Sequence, residues 1–365
     1  MRMSKLSIVP VLLSLFLFAC QNEQSKSQSE KLLISSSIVP QVVEIKEAFS
    51  THRDEGDNVD SPAVWHGKDG QHWILATAKG GNTIIVYDAA TGDKIKEFGK
   101  LGIELGEFSR PNGIAVIDDL AIVVERDNHR VQILSLPEMK PLASFGATEL
   151  RSPYGVTVDK FDDKYNLYIT DNYEMPDEST PPIDSLGQRV HYFTFTAENN
   201  QISSAHIKAF GATSEAGALR KVESILIDRA HNRLLIADEH EEQCNVKIYD
   251  VDGTFSGQII PHNYFFYEPE GIAVWKHDDN KSGYYIIVDQ GKINNTFQVF
   301  DRASLQYIGG FRGETVRNTD GIALTQKQFG DFKCGAFYPI HNDGSLVAIS
   351  WEEIVKALTL EINCQ

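Results

Sequence analysis

One pattern of polar and apolar residues occurs six times along the chain. In each copy, a single residue with a polar side chain precedes a short strand of small and apolar residues, as Asn112 precedes Gly113-Ile114-Ala115-Val116. The copies are 42 to 69 residues apart, which is the size of a four-stranded propeller blade with loops of variable length. The six polar residues, called the ring residues below, are Asp60, Asn112, Tyr154, Glu223, Glu270 and Asp320. The pattern predicts an all-β protein, a six-bladed β-propeller.

Further strands follow each ring residue. A second strand rich in β-branched and aromatic residues comes after a turn, as at Leu167 to Asp171, and a third strand alternates, as at Val131 to Leu134. Val42 to Ile45 are a candidate for the early strand that closes the ring against the last blade, and a short helix is expected around Trp351 to Leu358. The expected blades span residues 60–100, 110–146, 152–211, 221–260, 268–313 and 318–350.

The first strand of a blade is the one nearest the propeller axis, so the ring residues should gather around one mouth of the central channel. Four of them are carboxylates. In an antiparallel blade the end of the second strand lies beside the start of the first, which adds a second ring made of Lys79, Arg126, Asn172, Glu239 and Gln290. Carboxyl groups that lie close together disfavour one another's ionised form unless cations neutralise the charge. Calcium prefers oxygen ligands such as these. We therefore expect a calcium site. The alternative is that Asp and Asn residues at the strand entries only bind turn amides.

The start of the chain resembles a secretory signal. An apolar run from Leu6 to Phe18 ends just before Cys20 and is shorter than the ~20 residues of a membrane-spanning helix. We interpret residues 1–19 as a lipoprotein signal peptide, Cys20 as the acylated residue, 20–40 as a flexible tether and 41–365 as the propeller domain. A plain signal peptide or a short anchor helix is the alternative. A secreted lipoprotein of the outer membrane, cell surface or periplasm is expected, with a lipid anchor as its only contact with the membrane.

Charge and missing motifs exclude several classes of function. A formal net charge of −17 argues against a nucleic-acid partner, because phosphate backbones are bound by clustered Lys and Arg. The sequence has no GxSxG elbow, no HExxH pair and no phosphate-binding glycine loop, so no covalent nucleophile is visible. Cys244, Cys334 and Cys364 lack CxxC spacing, and Cys334 with Cys364 is the preferred disulfide pair. A monomer that binds a small molecule is expected.

Several segments resemble the β-propeller phytases over essentially the whole mature chain. The opening blade carries Asp57-Asn58-Val59-Asp60-Ser61-Pro62-Ala63-Val64-Trp65, similar to that family's D-x-x-D-D-P-A-[IV]-W. Later matches are Tyr154-Gly155, Val222-Glu223, Glu268-Pro269-Glu270-Gly271-Ile272, Thr319-Asp320-Gly321-Ile322 and Trp351-Glu352-Glu353-Ile354. The resemblance implies a 3-phytase-like, calcium-dependent hydrolase of phosphomonoesters, with phytate as substrate and a metal-activated water as nucleophile.

The resemblance also implies roles for individual residues. It assigns calcium binding to Asp60, Glu223, Asp238, Glu239, Glu268, Glu270 and Asp320. It assigns phosphate contacts to Lys79, Arg126 and Tyr154, which with Glu239 are the catalytic candidates. Two of the family's paired residues differ here, because Ser61 follows Asp60 and Gly80 follows Lys79, and Asn172 replaces a further lysine. Arg220 and Lys221 are candidate substrate-binding residues that would compensate for these losses.

Blade two supports a different function. Residues 106–116 and 127–132 are similar to the NHL repeat, a propeller unit of binding scaffolds and of some lyases and lactonases. On that interpretation the chain is a non-catalytic binding module of the cell surface, and its carboxylates are turn caps or a single structural calcium site.

Overall fold

The computed structural model describes residues 42–54, 56–214 and 216–362. The predicted signal peptide, Cys20 and the whole of the predicted tether lie outside the described residues. Cys244 and Cys334 are both disulfide-bonded, whereas Cys364, the predicted partner of Cys334, also lies outside them. No helix within the described ranges is both long and apolar enough to cross a membrane.

Two short strands, β1 (Val42–Ile45) and β2 (Phe49–Ser50), precede six sheets, each built from consecutive strands. The first three blades contain β3 (Val59–His66), β4 (His72–Ala78), β5 (Thr83–Asp88) and β6 (Lys94–Phe98); β7 (Pro111–Ile117), β8 (Leu120–Glu125), β9 (Arg130–Ser135) and β10 (Lys140–Phe145); and β11 (Pro153–Phe161), β12 (Lys164–Asp171), β13 (Val190–Glu198) and β14 (Gln201–Phe210).

The last three blades contain β15 (Val222–Asp228), β16 (Arg233–Asp238), β17 (Asn245–Asp250) and β18 (Phe255–Ile260); β19 (Glu268–Lys276), β20 (Gly283–Gln290), β21 (Thr296–Asp301) and β22 (Tyr307–Gly313); and β23 (Ile322–Thr325), β24 (Ala336–His341) and β25 (Ser345–Ser350). The helix α1 (Trp351–Leu358) follows, and single turns of 3-10 helix lie at Ile183–Ser185, Arg229–His231 and His262–Tyr264. The six-bladed β-propeller and the C-terminal helix are therefore confirmed.

The closure of the ring differs from the expectation. Val42–Ile45 does not join the last blade; it pairs in parallel with β22 and is the fifth, outermost strand of the fifth blade. The two residues Phe49–Ser50 pair with β25 and complete the sixth blade. Glu47 fixes the crossing between these strands, because its Oε1 accepts backbone hydrogen bonds from Thr315 and Val316.

The apolar core is divided among the blade junctions. Six clusters of buried side chains each join two neighbouring blades. At the junction of blades five and six, Trp351 of α1 stacks on Trp275 with ring centroids 4.6 Å apart, and Ile354 is fully buried beside it. The core therefore lies between neighbouring blades and fixes the angle between them.

Candidate metal centre

A β-bulge positions the ring residue in five of the six blades. The register of the first and second strands shifts by one residue between Val59 and Pro62, and at the equivalent points of the next four blades. The ring residue lies inside each shift, where a bulge redirects a side chain. Val59 pairs with Ala78, so Lys79 follows beside the ring as the antiparallel arrangement predicts.

The backbone of the ring is joined from one blade to the next. At four of the junctions a hydroxyl or amide donates to the carbonyl of the neighbouring ring residue: Thr77 to Asn112 at 2.5 Å, Thr170 to Glu223 at 2.6 Å, Gly271 to Asp320 at 3.0 Å and Gly321 to Asp60 at 2.9 Å. The residues that follow the six ring positions line one narrow cavity of about 70 Å³ on the axis. The ring residues therefore surround a single channel mouth.

Three carboxylates converge on the side of blades four and five. One oxygen from each of Glu223, Glu239 and Glu270 lies within 4.8 Å of the others, and all three are buried. The Lys221 ammonium contacts Glu239 Oε2 at 2.9 Å. Glu239 Oε1 is buried and, apart from the neighbouring carboxyl groups of Glu223 and Glu270, has no hydrogen-bond partner among the described residues. We call Glu223, Glu239 and Glu270 the acidic triad. An uncompensated buried carboxylate oxygen is costly, and oxygen-only ligands are those that calcium prefers, so the triad fits this metal.

The electrostatics of the triad support this interpretation. Burial, and then the charge of Glu239, raise the pKa of Glu223 well above its ordinary value. The pKa of Glu270 is raised for the same reasons. Burial and Glu239 also raise the pKa of Glu268, which places it beside the triad. In the absence of a metal these groups retain protons that a cation would replace.

A lysine occupies the opposite side of the mouth. Lys79 Nζ lies 2.5 Å from Asp60 Oδ1 and 3.4 Å from Asp320 Oδ2, and it lies 5.9 Å from the centre of the Tyr154 ring. Burial alone would lower the pKa of Lys79, but the two carboxylates outweigh it and raise this pKa. Burial and the surrounding acids raise the pKa of Tyr154, so its phenol remains a proton donor at neutral pH.

Two of the predicted cations lie apart from the triad. Arg126 Nε contacts Asp127 at 2.7 Å and its side chain is 37% exposed, and Arg220 Nη1 lies 3.7 Å from Glu242. Asn172, at the position of a lysine in the phytases, accepts a backbone hydrogen bond from Val222. Among the predicted substrate-binding cations, Lys79 and Lys221 form ion pairs with acids of the mouth.

Asp238 is not brought to the triad. Its Oδ2 lies 2.7 Å from Lys247 Nζ, with both side chains fully buried, and its oxygens accept backbone hydrogen bonds from Arg220 and Lys221. Acids at the end of the second strand of neighbouring blades also accept backbone hydrogen bonds from a loop. Asp171 accepts from Arg151 and Ser152, and Asp289 accepts from Phe266 and Tyr267. Asp238 is therefore a loop cap, and the recurrence of acids at this position in the sequence was the signal for it.

Asn112 is a functional candidate that the sequence analysis placed in the ring but gave no role. Its side chain is fully buried, and neither its amide nitrogen nor its amide oxygen has a hydrogen-bond partner. Buried amides are nearly always paired in native proteins. The unpaired amide of Asn112 is therefore a candidate contact for a polar ligand.

No family model matches the sequence, and no curated protein matches it. Solved structures that are similar include a nidogen/laminin complex, with 14% identity and a TM-score of 0.47 over 74% of this chain and 87% of the other. Hydrazine synthase of Kuenenia stuttgartiensis has 11% identity and a TM-score of 0.47 over 85% and 81%, and streptogramin B lyase has 13% and 0.47 over 82% and 96%. These similarities are too distant to bear on activity. The structure defines the chain as a six-bladed β-propeller with an acidic channel mouth.

Proposed function

We propose that the protein is a calcium-dependent phosphomonoester hydrolase of the phytase type, acting on a small phytate-like substrate. The observation that carries the proposal is the acidic triad, three buried carboxylates within 4.8 Å of one another with one oxygen that has no hydrogen-bond partner outside the triad among the described residues. A generic propeller scaffold has no need for such a cluster at its channel mouth.

Glu223, Glu239 and Glu270 would hold the calcium ion, with Glu268 beside them. When bound, calcium would neutralise these acids and supply an activated water as nucleophile, which the chain itself does not provide through a side chain. The acids must first release the protons that burial makes them retain. Lys221, whose side chain is 42% exposed, would offset part of the negative charge through its contact with Glu239.

The cations of the mouth would orient the phosphate group. A lysine ammonium has three N–H donors, and the contacts of Lys79 with Asp60 and Asp320 leave one for a phosphate oxygen. Tyr154 would donate its phenol proton from the same side of the mouth. Arg126 uses its Nε for Asp127, so its remaining N–H groups are available to a highly charged substrate.

The test is release of phosphate from phytate and from p-nitrophenyl phosphate by the purified protein, in millimolar calcium and in excess EDTA. We expect turnover that calcium supports and EDTA abolishes, with recovery when calcium is restored. Absence of phosphate release from either substrate at every calcium concentration would refute the hydrolase.

A calcium-binding module without catalysis is the second candidate. It is favoured by one observation, which is that several predicted or neighbouring acids are only loop caps at the ends of second strands, as Asp171, Asp238 and Asp289 are. In that case calcium raises the melting temperature while phosphate release remains absent.

A further inference from the structure

The two sides of the channel mouth are neutralised in different ways. On the side of blades one and six, all four carboxylate oxygens have partners. Asp60 Oδ1 has no hydrogen bond but lies 2.5 Å from Lys79 Nζ in an ion pair, and Oδ2 accepts from the Ser61 hydroxyl at 2.9 Å. Asp320 Oδ2 is paired with Lys79, and Oδ1 accepts from the Gln290 amide.

On the side of the triad, the carboxylate oxygens do not all have such partners. Lys221 is the cation in contact with Glu239, and its side chain is 42% exposed, so solvent screens its charge. Glu239 Oε1 has no hydrogen-bond partner outside the triad in the described structure. Glu223 and Glu270 add further buried carboxyl groups, and Glu268 adds a partly buried one.

The geometry points to Lys79 as a built-in cation: we infer that its ammonium takes the place of a metal ion between Asp60 and Asp320, so that calcium binds at the triad and not on this side. The inference rests on the calcium binding of the proposed function and changes which residues serve as ligands. Asp60 and Asp320, which the resemblance to phytases makes calcium ligands, become the counter-ions of Lys79.

Burial makes this arrangement hard to displace. The Lys79 side chain is 8% exposed and that of Asp60 is 1% exposed, so a calcium ion would have to enter beside a fixed positive charge in a poorly solvated place. Removing one partner of a buried ion pair leaves the other charge uncompensated. One departure from the phytase pattern fits this account. Ser61 occupies a position where that pattern has a second aspartate, and its hydroxyl donates a hydrogen bond to Asp60.

Calcium stoichiometry, measured by isothermal titration calorimetry on the purified protein without substrate, tests the inference. Glu239→Gln should lose the wild-type calcium site, whereas Asp60→Asn should keep it. Lys79→Met, which keeps the length of the side chain without its charge, should gain roughly one calcium ion per chain, since two carboxylates are then available to a divalent ion. The double variant Lys79→Met/Asp60→Asn should lose that additional ion.

Loss of the wild-type site in Asp60→Asn, or an unchanged stoichiometry in a folded Lys79→Met variant, would overturn the inference. If Lys79→Met does not fold, the Asp60→Asn result decides alone. The outcome is separable from catalysis. A protein that shows these stoichiometries and releases no phosphate would sustain the built-in cation and refute the hydrolase. A calcium-free wild type whose Lys79→Met variant binds calcium would sustain the role of Lys79 but overturn calcium binding at the triad, and with it the calcium-dependent hydrolase.

Discussion

Glu239 is the residue on which the triad depends most. It contacts Lys221, has one oxygen without a hydrogen-bond partner outside the triad among the described residues, and its charge helps to raise the pKa of both Glu223 and Glu270. It directly follows the loop cap Asp238, so one residue of sequence separates a structural acid from a candidate ligand. That difference is fixed by where each side chain points, which the sequence does not specify.

Glu239→Gln is predicted to lower calcium affinity by at least about tenfold, because even residues behind metal ligands are worth 10- to 100-fold in affinity. The amide keeps the shape of the side chain and removes its charge. Titration calorimetry measures the effect. Glu242→Gln is the control, since Glu242 lies three residues on and is 68% exposed; a similar loss in both variants would show that only the net charge matters.

Arg126→Ala is predicted to lower turnover of phytate by ~10²-fold, the loss expected when one donor to the transition state is removed, with calcium affinity unchanged. Arg312→Ala is a matched control, because Arg312 has nearly the same exposure, 38%, and an ion pair of the same kind with Glu44 at 2.9 Å. Full activity in Arg126→Ala would remove Arg126 from the substrate site.

At the scale of strands and loops, the sequence predicts the strands that recur in every blade. It does not predict the closing strand, which occurs once. The first strands recur with a polar residue, a small residue and an apolar run, so their register and the ring of Asp60, Glu223 and Glu270 are visible without a structure. The closing strand Phe49–Ser50 is two residues long and carries no pattern. Val42–Ile45 has the better strand composition, but it completes blade five instead.

The glycine after a ring residue is predicted to be essential to blade packing. A Cβ atom added at Gly155 would lie 2.1 Å from the carbonyl oxygen of Glu223, and that carbonyl also accepts from Thr170. Gly155→Ala should therefore destabilise the fold by roughly 1–3 kcal/mol, as overpacking does, and displace Glu223 from the triad. Chemical denaturation and calcium titration measure both effects.

Gly187→Ala is the control for this substitution. The nearest atom to an added Cβ at Gly187 is 3.7 Å away, so this variant should retain both stability and calcium affinity. Equal stability of the two alanine variants would show that the blades can separate slightly at the axis without cost.

At the scale of the whole molecule, the six apolar clusters stabilise the fold and the acidic mouth destabilises it. The clusters join each blade to its neighbours, while the mouth concentrates like charges in a chain whose net charge is already −17. Folded proteins are stable by only about 5–15 kcal/mol. The free-energy cost of burying a few carboxyl groups is therefore a considerable fraction of the total stability. The ionisation state of the mouth should therefore be visible in global unfolding.

The stabilisation that calcium provides is predicted to grow as the pH rises above the ordinary carboxyl pKa, near 4.5. Glu223 and Glu270 have raised pKa values through burial and the charge of Glu239, so in this window the folded state binds more protons than the unfolded state. Without metal, stability then falls as the pH rises towards the folded-state values. Calcium reverses the loss because it replaces those protons and binds the folded state.

Melting temperatures in calcium and in EDTA, between about pH 5 and pH 8, should diverge with increasing pH in the wild type and much less in Glu239→Gln. A constant difference across this range would mean that calcium binds away from the triad.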